Sequence, residues 1–251
     1  MFLPVSQEDL KQRGIKQPDF VYVLGDAYVD HPSFGAAIIS RVLEKNGYHV
    51  AILSQPDYKN SESVLSLGIP RLGFLVSSGN MDSMVNHYYV SKKKRTHDAY
   101  TPGGKTGVRP DRAVIVYCNM IRKHCKKIPI IIGGVEASLR RMAHYDYWSD
   151  SFRRSVLLES GADIVSYGMG ERSIVEIADA LAAGVSVKDM NYIRGTVYKA
   201  QEVPQVPDVE ILPSYDDMLA DKKLYGESFL RQSRNMDSIT AKTLVEPYSD
   251  H

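Results

Sequence analysis

Cysteine is scarce in this 251-residue chain, where only Cys118 and Cys125 occur. Two thiols build no disulfide framework, and their Cys-x6-Cys spacing matches none of the usual metal or redox pairs, so both read as reduced, buried side chains. Net charge is nearly absent too. The 31 basic residues against 30 acidic ones leave a formal +1, which removes any global electrostatic argument for nucleic acid or an anionic membrane and requires a basic patch to be local. The start, MFLPVSQEDLKQRG, lacks a basic segment followed by an apolar core, so it is not a secretory signal and the cytoplasm is the expected compartment. Hydrophobic residues at 43% and charged residues at 24% are ordinary for soluble globular chains and indicate neither disorder nor a membrane span. What is present is length. A chain of this size buries roughly 70–75% of its unfolded surface, enough for one large domain or a domain with an appendage.

Apolar runs alternate with helical periodicity. Residues 20–24 (FVYVL) read as a strand, and Phe34, Ala37, Ile38, Val42 and Leu43 recur at helical spacing over residues 34–43. Pro32 suits the first helical turn, Gly47 the residue after its end, and Asp30 or His31 the N-cap. Residues 50–53, 72–76, 128–132 and 163–167 repeat the strand signal, with helical stretches near 59–66, from Pro110 onward, within the polar aromatic segment after Gly134, and from Ile174 to Leu181. Residues 192–199 form a sixth strand or an edge hairpin around Gly195. Strands alternating with helices at this spacing predict an α/β fold, doubly wound, with a mostly parallel sheet and helices on both faces. The domain is expected over residues 1–205, interrupted at 77–110 by a basic, Gly-rich insertion that is long for a connection in a compact fold. Residues 206–251 read as a linker with one helix and no closing element.

In an open parallel sheet, ligands bind beyond the carboxyl ends of the strands. The loops there bring Asp26, Asp30, His31, Asp82, Glu136, Arg140 and Arg141 to one rim, and Gly133-Gly134 and Gly170-Glu171 open the helices after the fourth and fifth strands. Asp26, Asp30, His31, Gly133, Gly134, Glu136, Gly170 and Glu171 are therefore the candidate cofactor-binding residues. Asp30 and His31 have a second reading as helix caps. Gly103-Gly-Lys-Thr106 lacks the glycine five positions earlier that a phosphate loop needs, since Ala99 stands there. The Ser91–Arg95 run, SKKKR, reads first as a solvated loop and second as a contact to phosphate or RNA. MAHYDYW at 142–148 reads as core or domain-interface packing.

Taken together, FLPVSQEDLKQRG, DFVYVLGDAYVDHPSFGAAIISRVLE, DAYTPGGKTGVRPDRAVIVY and IGGVEASLRRMAHYDYWSDSFRRS resemble the N-terminal region of the YgiQ-type radical SAM proteins, from residue 2 to about 245. The resemblance implies a chain at least twice this long, with a later barrel in which a Cys-x3-Cys-x2-Cys motif holds a [4Fe–4S] cluster and S-adenosylmethionine. With two cysteines, no cluster ligand carries over to this sequence. The resemblance thus implies an accessory domain, inert alone, whose partner is the downstream barrel in cis or as a separate chain. The domain also looks like a cobalamin-binding or flavodoxin-like module. The cobalamin motif Asp-x-His-x-x-Gly is not met around His31, because Val29 and Phe34 stand at the Asp and Gly positions. The competing reading is a stand-alone binding module for a corrinoid, a nucleotide or RNA, with residues 86–112 as the contact surface.

Overall fold

The computed structural model describes residues 2–237 and 239–249. The chain divides into two compact units, one of Met1–Arg141 with Ser155–Tyr198 and one of Met142–Arg154 with Lys199–His251.

In the first unit a short helix α1 (Gln7–Gln12) precedes β1 (Phe20–Leu24), α2 (Gly35–Lys45), β2 (Val50–Ser54), β3 (Gly73–Ser77), α3 (Ser83–His87), α4 (Ala113–His124), β4 (Ile130–Ile132) and α5 (Gly134–Leu139). The hairpin strands β5 (His144–Asp146) and β6 (Ser151–Arg153) belong to the second unit, and the chain then returns as α6 (Val156–Ser160), β7 (Ile164–Ser166), α7 (Glu171–Ala182) and β8 (Thr196–Val197). The six-stranded sheet has the order β2-β1-β3-β4-β7-β8, parallel except for β8, which pairs antiparallel with β7 at the edge. The fold is α/β and doubly wound, and its first five strands follow the flavodoxin-like order.

The central strands are mostly apolar because both faces are covered. Alternate side chains feed separate cores. Val21, Val23, Phe74, Val76, Ile130 and Ile132 pack with Tyr117, Cys118 and Ile121 of α4 and with Val156 and Leu157 of α6. Phe20, Tyr22, Leu24, Leu75, Ile131 and Ile164 pack with Leu43 of α2 and with Ile174 and Ile177 of α7. Each fully buried side chain of this size contributes roughly 1.5–3 kcal/mol.

Helix starts differ from the sequence expectation. Helix α2 begins at Gly35 after Phe34, which is extended and offers no side-chain cap, so neither Asp30 nor His31 caps it and Pro32 precedes it. Helix α4 begins at Ala113, three residues past Pro110, after Arg112 at φ 49°. Its first amides are capped from elsewhere in the fold: Ala113 N–H donates to Ser83 Oγ (3.1 Å) and Val114 N–H to the Glu136 carboxylate (3.1 Å). The polar aromatic segment after Gly134 holds the short α5 and the β5–β6 hairpin in place of one helix.

The second unit contains that hairpin, the strands β9 (Val209–Ile211) and β10 (Thr243–Val245), which pair parallel, and helices α8 (Tyr215–Ala220) and α9 (Lys222–Arg234). Among the described residues of 206–251 there are thus two helices and a closing strand, where one helix and no closure were expected. Phe152, Tyr215, Tyr225 and Tyr248 form a ring cluster with centroids 5.0–5.5 Å apart. Within MAHYDYW, Tyr145 and Tyr147 are exposed and do not pack a core.

Candidate functional site at the carboxyl edge of the sheet

The strand order reverses at β1, which pairs with β2 on one side and β3 on the other, so the crevice between the loops after β1 and β3 is where such a fold receives ligands. The two loops touch backbone to backbone. A Cβ on Gly25 would lie 2.2 Å from the Ser78 carbonyl oxygen, and one on Gly79, at φ +112°, 2.0 Å from Asp26 Oδ1. Only glycine fits at either position.

Asp26 is 1% exposed. Its Oδ2 accepts the Asn80 N–H (2.7 Å) and its Oδ1 pairs with Arg109 Nη1 (2.7 Å). Arg109, also 1% exposed, donates from Nη1 to the Ser78 carbonyl (2.7 Å) and from Nη2 to Asp98 (3.0 and 3.2 Å). Burial raises the Asp26 pKa above the ordinary carboxylate range against the pull of the guanidinium. At Asp98 burial also pushes upward, but the Tyr100 N–H and Arg109 outweigh it and the pKa is lowered. The insertion is therefore folded across the carboxyl ends of β1 and β2. Two further links hold it there, from Ala27 N–H to the Tyr100 carbonyl (2.8 Å) and from Gln55 Nε2 to Thr101 Oγ1 (2.7 Å).

A second cluster lies beside the first. Asp82 caps α3 by accepting the Met84 and Val85 amides (2.9 and 3.1 Å) and pairs with Arg140. Glu136, 2% exposed, accepts the Ser83 N–H (2.8 Å) as well as that of Val114. One carboxylate thereby caps both α3 and α4. The Arg141 guanidinium stacks over the Tyr167 ring, 5.0 Å from its centroid.

The ligand-sized space is apolar. A cavity of about 180 Å³ opens at the carboxyl ends of β3, β4 and β7, between Ile38 and Ile39 of α2 and Ile174 of α7. Its floor includes Leu75, Val76, Ile131 and Ile132, and Gly133, Gly134, Gly170 and Glu171 line it. Asp26 lines a smaller recess of about 30 Å³ that shares Tyr22, Gly35 and Gly134 with this cavity. Burial raises the Tyr22 hydroxyl pKa. A ligand here meets a small, mostly apolar recess with few polar contacts, in which ring or aliphatic groups are favoured.

Asp30, His31 and Glu136 line neither space. Asp30 is tied to Arg41, and His31 Nδ1 accepts the Ser33 N–H (3.1 Å). The residues that sequence reasoning passed over are Gly79, Asn80, Asp98 and Arg109. Nothing in the run Thr106–Asp111 marks its arginine as the buried one.

The thiols do not fit an iron–sulfur cluster. Cys118 and Cys125 are 0% and 4% exposed inside the core beneath α4, and burial raises the pKa of both. Among the described residues no group of three or more His, Cys, Asp or Glu side chains is placed to hold a metal ion. Nor, among them, is any helix long and apolar enough to cross a membrane.

Longer known proteins are similar to this chain over nearly all of its length. The family model described as Radical SAM N-terminal matches residues 2–251. A UPF0313 protein of Clostridium botulinum (strain ATCC 19397 / Type A) is 54% identical over 249 residues, 99% of this chain and 39% of the relative. A UPF0313 protein of Clostridium perfringens (strain SM101 / Type A) is 53% identical over 249 residues, 99% of this chain and 38% of the relative. The chain spans about two fifths of the length of the curated relatives it matches, and with the family model matching residues 2–251 it belongs to the Radical SAM N-terminal family.

Proposed function

We propose that this chain is the accessory, ligand-presenting domain of a radical SAM enzyme. It holds a small ligand with an apolar or aromatic body in the cavity between α2 and α7 and leaves cluster chemistry to residues further along the full-length protein. The observation that carries the reading is the preformed cavity of about 180 Å³ at the carboxyl edge, where a parallel α/β sheet places its ligands. The two buried thiols support the second half, because a cluster needs three accessible thiolates and S-adenosylmethionine chemistry follows the cluster. Exposed apolar side chains on the same edge, Val29, Val135, Leu139 and Met169, suit a surface that the downstream barrel covers.

For cobalamin, the chain offers the glycine-lined cavity, but among the described residues no histidine lines it, so a bound corrinoid would be held without a histidine ligand from His31. The test has two arms. Anaerobic reconstitution of the 251-residue chain with ferrous iron and sulfide is expected to give no cluster absorption and no cleavage of S-adenosylmethionine; cleavage by the chain alone refutes the accessory reading. Titration with hydroxocobalamin and with adenosine, followed by NMR of Ile131 and Ile174 methyl groups, is expected to shift those signals saturably for at least one probe. Ile39→Trp, which fills the cavity, should abolish that shift.

A further inference from the structure

We propose that the Tyr88–Arg95 hairpin is a binding surface for single-stranded nucleic acid. Residues 83–97 contain four Lys or Arg side chains, Lys92, Lys93, Lys94 and Arg95, and no Asp or Glu, in a chain whose formal charge is only +1. The turn is thus a local run of positive charge with no acidic residue in it.

That turn is built, not loose. Tyr88 and Lys94 form an antiparallel bridge. The Tyr89 N–H donates to the Lys93 carbonyl (2.9 Å), Lys92 N–H to Tyr89 (2.8 Å) and Arg95 N–H to His87 (2.8 Å). Lys92 takes the left-handed position at φ 62°. At the base, the Asp111 carboxylate receives the Tyr88 hydroxyl (2.6 Å) and pairs with His87 Nδ1 (2.7 Å). That anchor also raises the Tyr88 pKa to about 12.

Rings and cations alternate on it. The Arg95 guanidinium lies over the Tyr89 ring, 4.4 Å from its centroid, and the Lys94 ammonium lies 5.9 Å from that of Tyr88. Tyr89 stays 47% exposed and Lys92, Lys93 and Lys94 are exposed. Exposed lysine ammonium groups meet phosphates, and a half-exposed tyrosine stacked on a guanidinium offers a flat face to an unpaired base. An anionic membrane would call for several apolar side chains to insert, and the tip supplies one, Val90. An acidic peptide would use the charges and leave the aromatic face idle. The insertion that carries the turn leaves from the carboxyl end of β3.

Fluorescence anisotropy with labelled 12-nucleotide RNA and DNA strands of uridine or thymidine tests the proposal. Saturable binding is expected, with a slope of log affinity against log salt of about −2 if the three exposed lysines meet phosphates. Lys93→Glu with Lys94→Glu should weaken binding at least tenfold and flatten the slope by about 1–2. Tyr89→Ala should weaken it about fivefold or more with the slope unchanged. The RNA and DNA arms decide which polymer is preferred. Absence of saturable binding at 25 mM salt overturns the proposal, as does binding that the charge reversal leaves intact. Equal, Tyr89-independent binding of heparin or phosphatidylserine vesicles also overturns it, since charge alone would then suffice. Lys93→Gln with Lys94→Gln, milder on the fold, repeats the test should the reversal fail to fold.

Discussion

Replacing Arg109 with methionine should cost about 3–5 kcal/mol of stability at neutral pH, the range for removing one partner of a buried ionic cluster. The guanidinium is 1% exposed and serves Asp26 at 1% and Asp98 at 3%. With both carboxylates ionised, its loss takes the cluster from a formal −1 to −2 in a site almost closed to solvent. Each carboxylate also loses an attraction of roughly 4 kcal/mol at a 4 Å charge separation and an effective dielectric near 20. Urea denaturation gives the free-energy change, and a melting temperature lower by on the order of 10 °C should accompany it. The pH dependence distinguishes charge from packing. In the native chain Asp98 is lowered, so its contribution is present above the unfolded value and lost as pH falls through the folded one. In Arg109→Met both carboxylates are raised in the folded state, so the variant is least disadvantaged below their unfolded values and loses ground as pH rises. The gap between the two proteins should therefore narrow by about 1–2 kcal/mol from pH 8 to pH 5, at roughly 1.4 kcal/mol per pH unit per proton retained. A loss under about 1 kcal/mol, or a gap constant across that range, would refute the argument that the guanidinium compensates two buried charges.

Other expectations follow from the same geometry. Gly79→Ala, at φ +112° with its Cβ 2.0 Å from Asp26, should lower stability by at least 2 kcal/mol in thermal unfolding, whereas Gly103→Ala, with open space around it, should cost only about 1 kcal/mol. Glu136→Ala should lose about 1–3 kcal/mol by leaving the Ser83 and Val114 amides without their shared acceptor; unchanged unfolding would show that water replaces the carboxylate freely. Cys118 and Cys125 should react with a thiol reagent only after denaturation, given their burial and raised pKa values. Burial raises Glu246 in the folded state, so its contribution is best below its unfolded pKa and is lost as pH rises through the folded one. Glu246→Gln should accordingly be more stable than the native chain at pH 8 and equal near pH 4, read from the fluorescence of the single tryptophan, Trp148.

What the linear chain determined by itself was the layered architecture. Runs such as Phe20–Leu24 and Ile130–Ile132 are apolar at every position, which only a strand covered on both faces explains, and the intervening helices follow because parallel neighbours need crossovers. Gly133, Gly134, Gly170 and Glu171 were legible as rim residues because they sit where strand gives way to helix. Helix starts were less legible, since the caps of α4 come from Ser83 and Glu136, which no local window contains. Closure of the second unit was hidden for a related reason: strands of three residues carry too little alternation to be read. Only the tertiary structure decided that Arg109, one cation in a basic insertion, is buried between Asp26 and Asp98, and that Lys92, Lys93 and Lys94 of the Tyr88–Arg95 turn stand in solvent. The physical reason is that burial of a charge depends on partners brought from distant loops, and sequence periodicity reports the faces of an element but not the company those loops supply.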